Sequence, residues 1–131
     1  MSAIYLDASA FLKLVVEEDE SNALRDFMGA EHGRYVSSAL LRTEALRAGT
    51  RHGPEALGAA RDALQRIDLV AIDDRILDAA GHLHPDVLRS LDAIHVATAL
   101  ALGDDLDVVV TYDRRMIEDS SLMGIPTATP V

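Results

Sequence analysis

The sequence predicts a three-layer α/β/α fold built around a central parallel sheet. The segments AIYL at residues 3–6 and VVV at residues 108–110 are apolar on both faces. Strands of this kind are typical of parallel sheets that helices cover on both sides. Strand-like and helix-like stretches also alternate along the chain, which favours the same architecture. The 131 residues fit one domain over 1–131, because single domains commonly have about 100–150 residues.

The hydrophobic periodicity gives each element an expected position. In chain order, we expect a strand at 3–6, helices at 9–16 and 20–31, a strand at 35–36, helices at 40–51 and 55–66, a strand at 69–72, helices at 75–83 and 91–102, a strand at 107–111, a helix at 114–122 and a strand at 125–127. Glycine and proline residues support several of these predicted element boundaries. Gly33 precedes the second strand, Gly53 and Pro54 close the third helix, and Gly103 ends the sixth.

The composition excludes several classes of protein. With 49% hydrophobic and 26% charged residues, the chain is not mainly disordered. The absence of cysteine excludes disulfides, thiolate metal sites and a cysteine nucleophile, and it fits a cytoplasmic location. No run of about 18 apolar residues is present, so we expect no membrane span. The N-terminal stretch lacks a basic segment and contains Asp7, so we expect no signal peptide.

Two acidic residues directly follow predicted strands. Asp7 follows the first strand and Asp113 follows the VVVT strand, so both should lie at the carboxyl edge of the sheet, where functional sites of such folds collect. Asp104, Asp105 and Asp107 lead into the VVVT strand and belong to the opposite edge. A predicted helix follows both Asp7 and Asp113, so the alternative role for each is a helix N-cap.

Two further acidic residues lie on predicted helices. Asp92 is in the first turns of a helix that is apolar almost all round, and we expect this helix to be largely buried. A buried carboxylate needs a partner or a metal, and a local pair with His95 is the alternative. Glu44 borders the apolar stripe of its helix, and a surface ion pair with Arg47 is its alternative.

The four carboxylates together indicate a site for a hard cation. Clustered carboxylates repel one another, and a divalent ion relieves that repulsion. Oxygen ligands without cysteine or a two-histidine motif favour Mg²⁺ or Mn²⁺ over Zn²⁺. The formal net charge of −10, from 12 basic and 22 acidic residues, argues against broad charge-driven binding of nucleic acid. It is compatible with an acidic metal site that acts on nucleic acid.

Four segments resemble the motifs of one known family. They are YLDASAFLKL at 5–14, SSALLRTEALRA at 37–48, SLDAIHVATALALG at 90–103 and VVTYDRRM at 109–116. In this order and spacing they resemble the PIN-domain ribonucleases, in particular the VapC toxins of bacterial toxin–antitoxin pairs. The resemblance covers essentially the whole chain, and its last two segments are specific in combination.

The resemblance implies a site and a reaction. The implied catalytic cluster consists of Asp7, Glu44, Asp92 and Asp113. The implied ligands of Mg²⁺ or Mn²⁺ are Asp7, Asp92 and Asp113. The implied supporting side chains are Ser9, Thr111 and His95. The reaction would be hydrolysis of RNA phosphodiester bonds, in which the metal polarises a phosphate oxygen and activates a water.

The resemblance also implies partners, namely an RNA substrate, a cognate antitoxin protein and a second copy of the chain in a homodimer. Some relatives carry another acid after the fourth Asp, whereas two arginines follow it here. The arginines near the proposed site are candidates for contact with RNA phosphates, and solvated helix faces are the alternative. These candidates are Arg42, Arg47, Arg51, Arg114 and Arg115.

Two other functions stay open on the sequence alone. A haloacid-dehalogenase-like phosphatase also places an Asp nucleophile after its first strand, but it requires a second Asp where this chain has Ser9. A non-catalytic binding module that has kept the fold is the other alternative, and binding of Mg²⁺ or Mn²⁺ would distinguish it from the nuclease.

Overall fold

A computed structural model describes residues 2–31, 33–84 and 88–131. The strands are β1 (Ala3–Leu6), β2 (Arg34–Ser38), β3 (Asp68–Val70), β4 (Leu106–Val110) and β5 (Thr127–Ala128). The helices are α1 (Ala8–Val15), α2 (Ser21–Ala30), α3 (Leu40–His52), α4 (Pro54–Leu64), α5 (Asp74–Gly81), α6 (Ser90–Ala101) and α7 (Arg114–Leu122). A short 3₁₀ turn, Gly103–Asp105, leads into β4. No helix in the described part of the chain is long and apolar enough to cross a membrane.

The five strands form one parallel sheet in the order β3-β2-β1-β4-β5. The chain builds outward from β1 to β3 on one side and places β4 and β5 on the other. Ligands of open parallel sheets bind beyond the carboxyl ends of the strands where the order reverses in this way. The β1–β4 register pairs Leu6 with Val110, so the residues that leave these two strands emerge side by side.

Two hydrophobic cores lie on opposite faces of the sheet, which confirms the three-layer α/β/α prediction. Alternate residues of β1 point to opposite faces, as the strand period of two requires. Ile4 and Leu6 pack with buried residues of α1 to α4, whereas Tyr5 packs with Val96 of α6 and Met116 of α7. A strand that is buried on both faces explains why AIYL is continuously apolar.

The predicted elements all form, with ends that differ by up to two residues. The largest consequence is at the last strand, which begins at Thr127 rather than at residue 125. The backbone N–H of Ile125 donates to the carbonyl of Ser120 at 2.9 Å, so this residue still belongs to the turn that closes α7. Gly124 has a φ of 72° in that turn, a conformation that favours glycine.

The prediction that α6 is largely buried holds for its interior but is wrong near its ends. Residues 95–99 are buried, whereas Leu91 and Leu100 are 53% and 41% exposed. Helix α6 packs mainly against α5, β2 and β4, and the two exposed leucines lie near its two ends. Leu91 is therefore a surface residue in the first turn of α6, next to Asp92.

Candidate active site

Asp7 is the centre of a hydrogen-bonded network just beyond the carboxyl end of β1. Its side chain is only 4% exposed. One carboxylate oxygen, Oδ1, accepts from the hydroxyl of Ser9 at 2.6 Å and from the backbone N–H of Ala10 at 3.0 Å. The other, Oδ2, accepts from the hydroxyl of Thr111, which follows β4. Asp7 thus caps α1 and also joins the ends of the two central strands.

Burial raises the pKa of the Asp7 carboxyl, because a charged group loses its hydration inside the protein. The hydrogen bonds from Ser9, Thr111 and the Ala10 backbone act in the opposite direction. The ionised form of Asp7 is therefore stabilised by donors that all come from the protein. A cation bound beside it would stabilise the ionised form further.

Asp113 lies just beyond the carboxyl end of β4 and caps α7. Its Oδ1 atom accepts from the backbone N–H groups of Arg115 at 2.9 Å and Met116 at 3.4 Å. Its own backbone N–H donates to the Thr111 hydroxyl at 3.1 Å, and the same hydroxyl donates to Asp7. The N-cap role that the sequence allows for both acids is therefore present in the structure, and Thr111 connects the two caps.

Asp92 and Asp113 share one guanidinium, that of Arg89. Its Nε atom lies 3.1 Å from Oδ2 of Asp92, and its Nη2 atom lies 3.3 Å from Oδ2 of Asp113. The alternative in which Asp92 pairs with His95 is wrong, because His95 is turned into the protein interior. Sequence reasoning missed Arg89, although an oppositely charged residue three positions before Asp92 is a recognisable helical pair.

Glu44 of α3 is held by the buried side chain of His95 from α6. Their Oε1 and Nε2 atoms are 2.6 Å apart, so the alternative pairing of Glu44 with Arg47 is wrong. The other ring nitrogen of His95, Nδ1, lies 2.7 Å from the hydroxyl of Tyr5 on β1. Tyr5 is 1% exposed, and burial raises the pKa of its phenol, which keeps the phenol protonated. Tyr5 is a second residue of the site that sequence reasoning missed.

A groove of about 390 Å³ runs between α1 and α3 and opens at this acidic edge. Ser9, Glu44 and Leu91 line it near the carboxylates, and Arg47 and Arg51 line its far part. All five arginines predicted to contact RNA are exposed, but the groove lining includes only these two of them. Of the others, one lies on α3 and two begin α7; they are Arg42, Arg114 and Arg115.

The carboxylate oxygens of this site are suitable ligands for a hard divalent cation. Among residues 2–31, 33–84 and 88–131, no three Asp, Glu or His side chains are already gathered in a metal-binding arrangement. Two carboxylates, Asp92 and Asp113, nevertheless share one cationic group, and their Oδ2 atoms face it. Carboxylate oxygens are the ligands that Mg²⁺ and Mn²⁺ prefer. Asp92 and Asp113 could therefore hold such an ion, with Asp7 linked to Asp113 through Thr111.

The fold and this site define a class of protein. It is an α/β protein with a parallel sheet whose strand order reverses at β1. Beyond the carboxyl ends of β1 and β4, the carboxylates of Asp7, Asp113 and Asp92 are linked through Thr111 and Arg89. A family model described as "PIN domain" matches residues 4–119. The chain belongs to the PIN-domain family, which confirms the resemblance that the four sequence segments indicated.

Proteins of known sequence show the same relationship over the full length of the chain. Ribonuclease VapC46 of Mycobacterium tuberculosis is 50% identical over 130 residues, which cover 99% of both chains. Ribonuclease VapC47 of the same organism is 36% identical over 131 residues, which cover 97% of this chain and 96% of the relative.

Solved structures share the fold at much lower identity. A toxin–antitoxin complex from Klebsiella pneumoniae contains a chain with a TM-score of 0.74 and 21% identity, covering 99% of this chain and 98% of that one. Mycobacterium tuberculosis VapC20, described as a sarcin–ricin loop cleaving toxin, has a TM-score of 0.76 and 15% identity, covering 97% and 99%.

Proposed function

We propose that this chain is an endoribonuclease and the toxin of a toxin–antitoxin pair, and that Mg²⁺ or Mn²⁺ serves its acidic site. The observation that carries the proposal is the network joining Asp7, Thr111 and Asp113 to Asp92 through Arg89, at the carboxyl ends of β1 and β4. The similarity of the entire chain to proteins named ribonuclease VapC supports the same activity.

Four carboxylates have distinct positions in the proposed site. Asp7 and Asp113 are fixed by helix capping, so each can present an oxygen in one orientation. Asp92 lies in the first turn of α6, where the helix dipole favours a negative charge. Glu44 faces the groove while His95 holds its Oε1 atom, so we assign it to orienting the attacking water. Ser9 and Thr111 keep Asp7 in place.

Asp7, Asp92 and Asp113 are the residues that would hold the ion. A divalent ion at such a site polarises a phosphate oxygen and lowers the pKa of a bound water. The carboxylates would hold the ion, and Glu44 would orient the attacking water. No cysteine or other covalent nucleophile is required. The reaction is then a direct attack of water on the phosphorus atom, in which one P–O bond to a ribose oxygen breaks, the water gives up a proton and the leaving ribose oxygen takes one up.

The partners follow from the same assignment. RNA is the substrate, and Arg47 and Arg51 in the groove are the best placed of the five predicted phosphate contacts. The structural similarity to a chain from a toxin–antitoxin complex supports a cognate antitoxin as a partner. The homodimer and the cytoplasmic location stay predictions. The membership of the PIN-domain family leaves the haloacid-dehalogenase-like alternative without support.

A cleavage assay with matched variants tests this proposal. Purified chain is incubated with RNA in Mn²⁺, in Mg²⁺ and with a chelator, beside the variants Asp92→Asn and Asp104→Asn. We expect metal-dependent internal cleavage by the unmodified chain and by Asp104→Asn, but not by Asp92→Asn. Equal cleavage by both variants would place the active site elsewhere, and a chain that neither cleaves RNA nor binds Mg²⁺ or Mn²⁺ would favour the non-catalytic alternative.

An experiment in cells tests the toxin role separately. The chain is induced alone or together with the protein encoded beside it, and RNA 5′ ends are mapped in both cultures. We expect growth arrest and new RNA ends only when the chain is induced alone. Arrest that persists with Asp7→Asn would show that toxicity does not come from the proposed site.

A further inference from the structure

Arg89 connects two carboxylates that the proposed function assigns to metal binding. It is the residue just before α6, and its guanidinium reaches Asp92 in the first turn of that helix and Asp113 at the start of α7. Two different nitrogen atoms make the contacts, Nε at 3.1 Å and Nη2 at 3.3 Å. A planar guanidinium suits such a bridge, because its donors have a fixed fork geometry.

The bridge uses one oxygen atom of each carboxylate, Oδ2. The Oδ1 atom of Asp113 accepts from the backbone of α7, so the carboxylate is fixed and Oδ2 is the atom left for a cation. Oδ2 of Asp92 makes the contact on the other helix. The side chains of Asp92 and Asp113 are 19% and 27% exposed, whereas Arg89 is 60% exposed. Arg89 therefore approaches the two acids from the solvent side.

We propose that Arg89 is an internal counter-ion that a divalent metal ion must displace. In the metal-free protein its guanidinium offsets one of the two negative charges of Asp92 and Asp113 and holds the two carboxylates together. When an ion binds to the same Oδ2 atoms, like charges repel and the guanidinium leaves at least one carboxylate. This inference rests on the proposed function, since it concerns the same metal site.

The exchange has a measurable consequence for affinity. The metal binds only to the fraction of molecules in which the carboxylates are released, so the apparent Kd is raised by the stability of the Arg89 bridge. Exposed ion pairs are individually weak, and two of them acting on one guanidinium should raise the Kd of Mn²⁺ by about three- to tenfold. Removing the guanidinium should therefore tighten metal binding.

Calorimetric titration with Mn²⁺ tests this directly, using Arg89→Gln and the matched control Arg34→Gln. Arg34 is also a surface arginine, with one carboxylate partner, Asp68, at 3.5 Å. It begins β2 and so lies at the opposite edge of the sheet. Both substitutions remove one positive charge. We expect the Kd to fall about three- to tenfold in Arg89→Gln and to stay unchanged in Arg34→Gln.

The outcomes separate this inference from the proposed function. A Kd that is unchanged or higher in Arg89→Gln, with Mn²⁺ binding intact in the unmodified chain, overturns the counter-ion role alone. Mn²⁺ binding by Arg89→Gln but not by the unmodified chain supports it strongly. An absence of Mn²⁺ binding in all three proteins overturns the metal site, and the counter-ion role with it.

Nuclear magnetic resonance gives a second test that does not depend on affinity. The Nε–Hε signal of Arg89 can be assigned by its absence from Arg89→Gln. Addition of Mg²⁺ should shift that signal as the guanidinium leaves its carboxylates, while the signal assigned to Arg34 stays in place. An Arg89 signal that does not change when Mg²⁺ saturates the site would show that the guanidinium remains bound and would overturn the inference.

Discussion

The side chain of Glu44 is held by His95, whose Nε2 atom lies 2.6 Å from Oε1 of the carboxylate. Glu44 belongs to α3 and His95 to α6, which lie on opposite faces of the sheet. Tyr5 of the central strand completes the chain of contacts from within the core. The position of Glu44 therefore depends on buried residues rather than on its own helix.

We predict that His95→Asn lowers the cleavage rate through loss of Glu44 positioning. Asparagine is too short to reach both partners of the imidazole, so Glu44 is released and the buried Tyr5 hydroxyl loses its contact with Nδ1. The loss of these two contacts of a buried side chain should reduce the free energy of unfolding by about 1–3 kcal/mol. We expect kcat to fall by about tenfold or more while KM for RNA changes little.

The variant Tyr5→Phe is the matched control for His95. It removes the hydroxyl that contacts Nδ1 but keeps the contact between Nε2 and Glu44. We expect a stability loss of about 1 kcal/mol with most of the activity retained. Equal activity loss in the two variants would mean that damage to the core, rather than the position of Glu44, controls the rate.

We predict that Asp7→Asn folds but loses most ribonuclease activity, by about a hundredfold or more. Asparagine caps a helix about as well as aspartate, so the substitution should not destabilise α1. Its amide can donate to the Thr111 hydroxyl while its oxygen accepts from Ala10. Full retention of metal-dependent cleavage would show that Asp7 is only a helix cap.

The same variant has a distinct dependence of stability on pH. Burial places the pKa of Asp7 in the folded chain above its ordinary value of 3.8. Folding is therefore weakened as the pH rises past 3.8, and the loss is complete above the folded-state pKa. Asp7→Asn lacks this penalty, so its Tm without metal should exceed that of the unmodified chain at pH 7. The difference should disappear near pH 3, which thermal unfolding at both pH values will measure.

The sequence was informative wherever local pattern and topology were sufficient. Continuous apolar runs predicted the buried parallel strands, and the strand-end rule placed Asp7 and Asp113 at one edge of the sheet. The contacts of His95 could not be predicted, because they depend on how α6 rotates against the sheet. Packing of Val96 and Ala99 against the core sets that rotation.

The sequence around Tyr5 and Arg89, the two residues that were missed, does not indicate a functional role for either. Tyr5 lies within an apolar strand, so its sequence context indicates only a core position. Arg89 is an exposed arginine before a helix, and its contact with Asp92 looks like any local ion pair. Its second contact, with Asp113, joins residues 24 positions apart and becomes visible only when the N-terminal ends of α6 and α7 are brought together.

We predict that Asp92→Asn and Asp104→Asn differ in their response to Mn²⁺. Both remove one negative charge, but Asp104 lies in the exposed turn before β4, at the opposite edge of the sheet. The exposed contact with Arg89 contributes little, so the metal-free Tm of Asp92→Asn should change little. Mn²⁺ at a hundredfold excess over its Kd should stabilise Asp104→Asn and the unmodified chain by about 2.7 kcal/mol. Equal Mn²⁺ shifts in the two variants would contradict the proposed site.

We predict that Arg51→Gln weakens RNA binding whereas Arg42→Gln does not. Both residues are exposed arginines of α3, so each variant removes one positive charge from the same helix. Only Arg51 lines the groove that leads to Glu44. Loss of one phosphate contact should raise the Kd for RNA about threefold and reduce the slope of log affinity against log salt by about 0.7 for single-stranded RNA. Binding is measured by fluorescence anisotropy with Asp7→Asn as the background, because that variant should leave the RNA uncut. Equal effects of the two variants would mean that RNA follows the outer face of α3 rather than the groove.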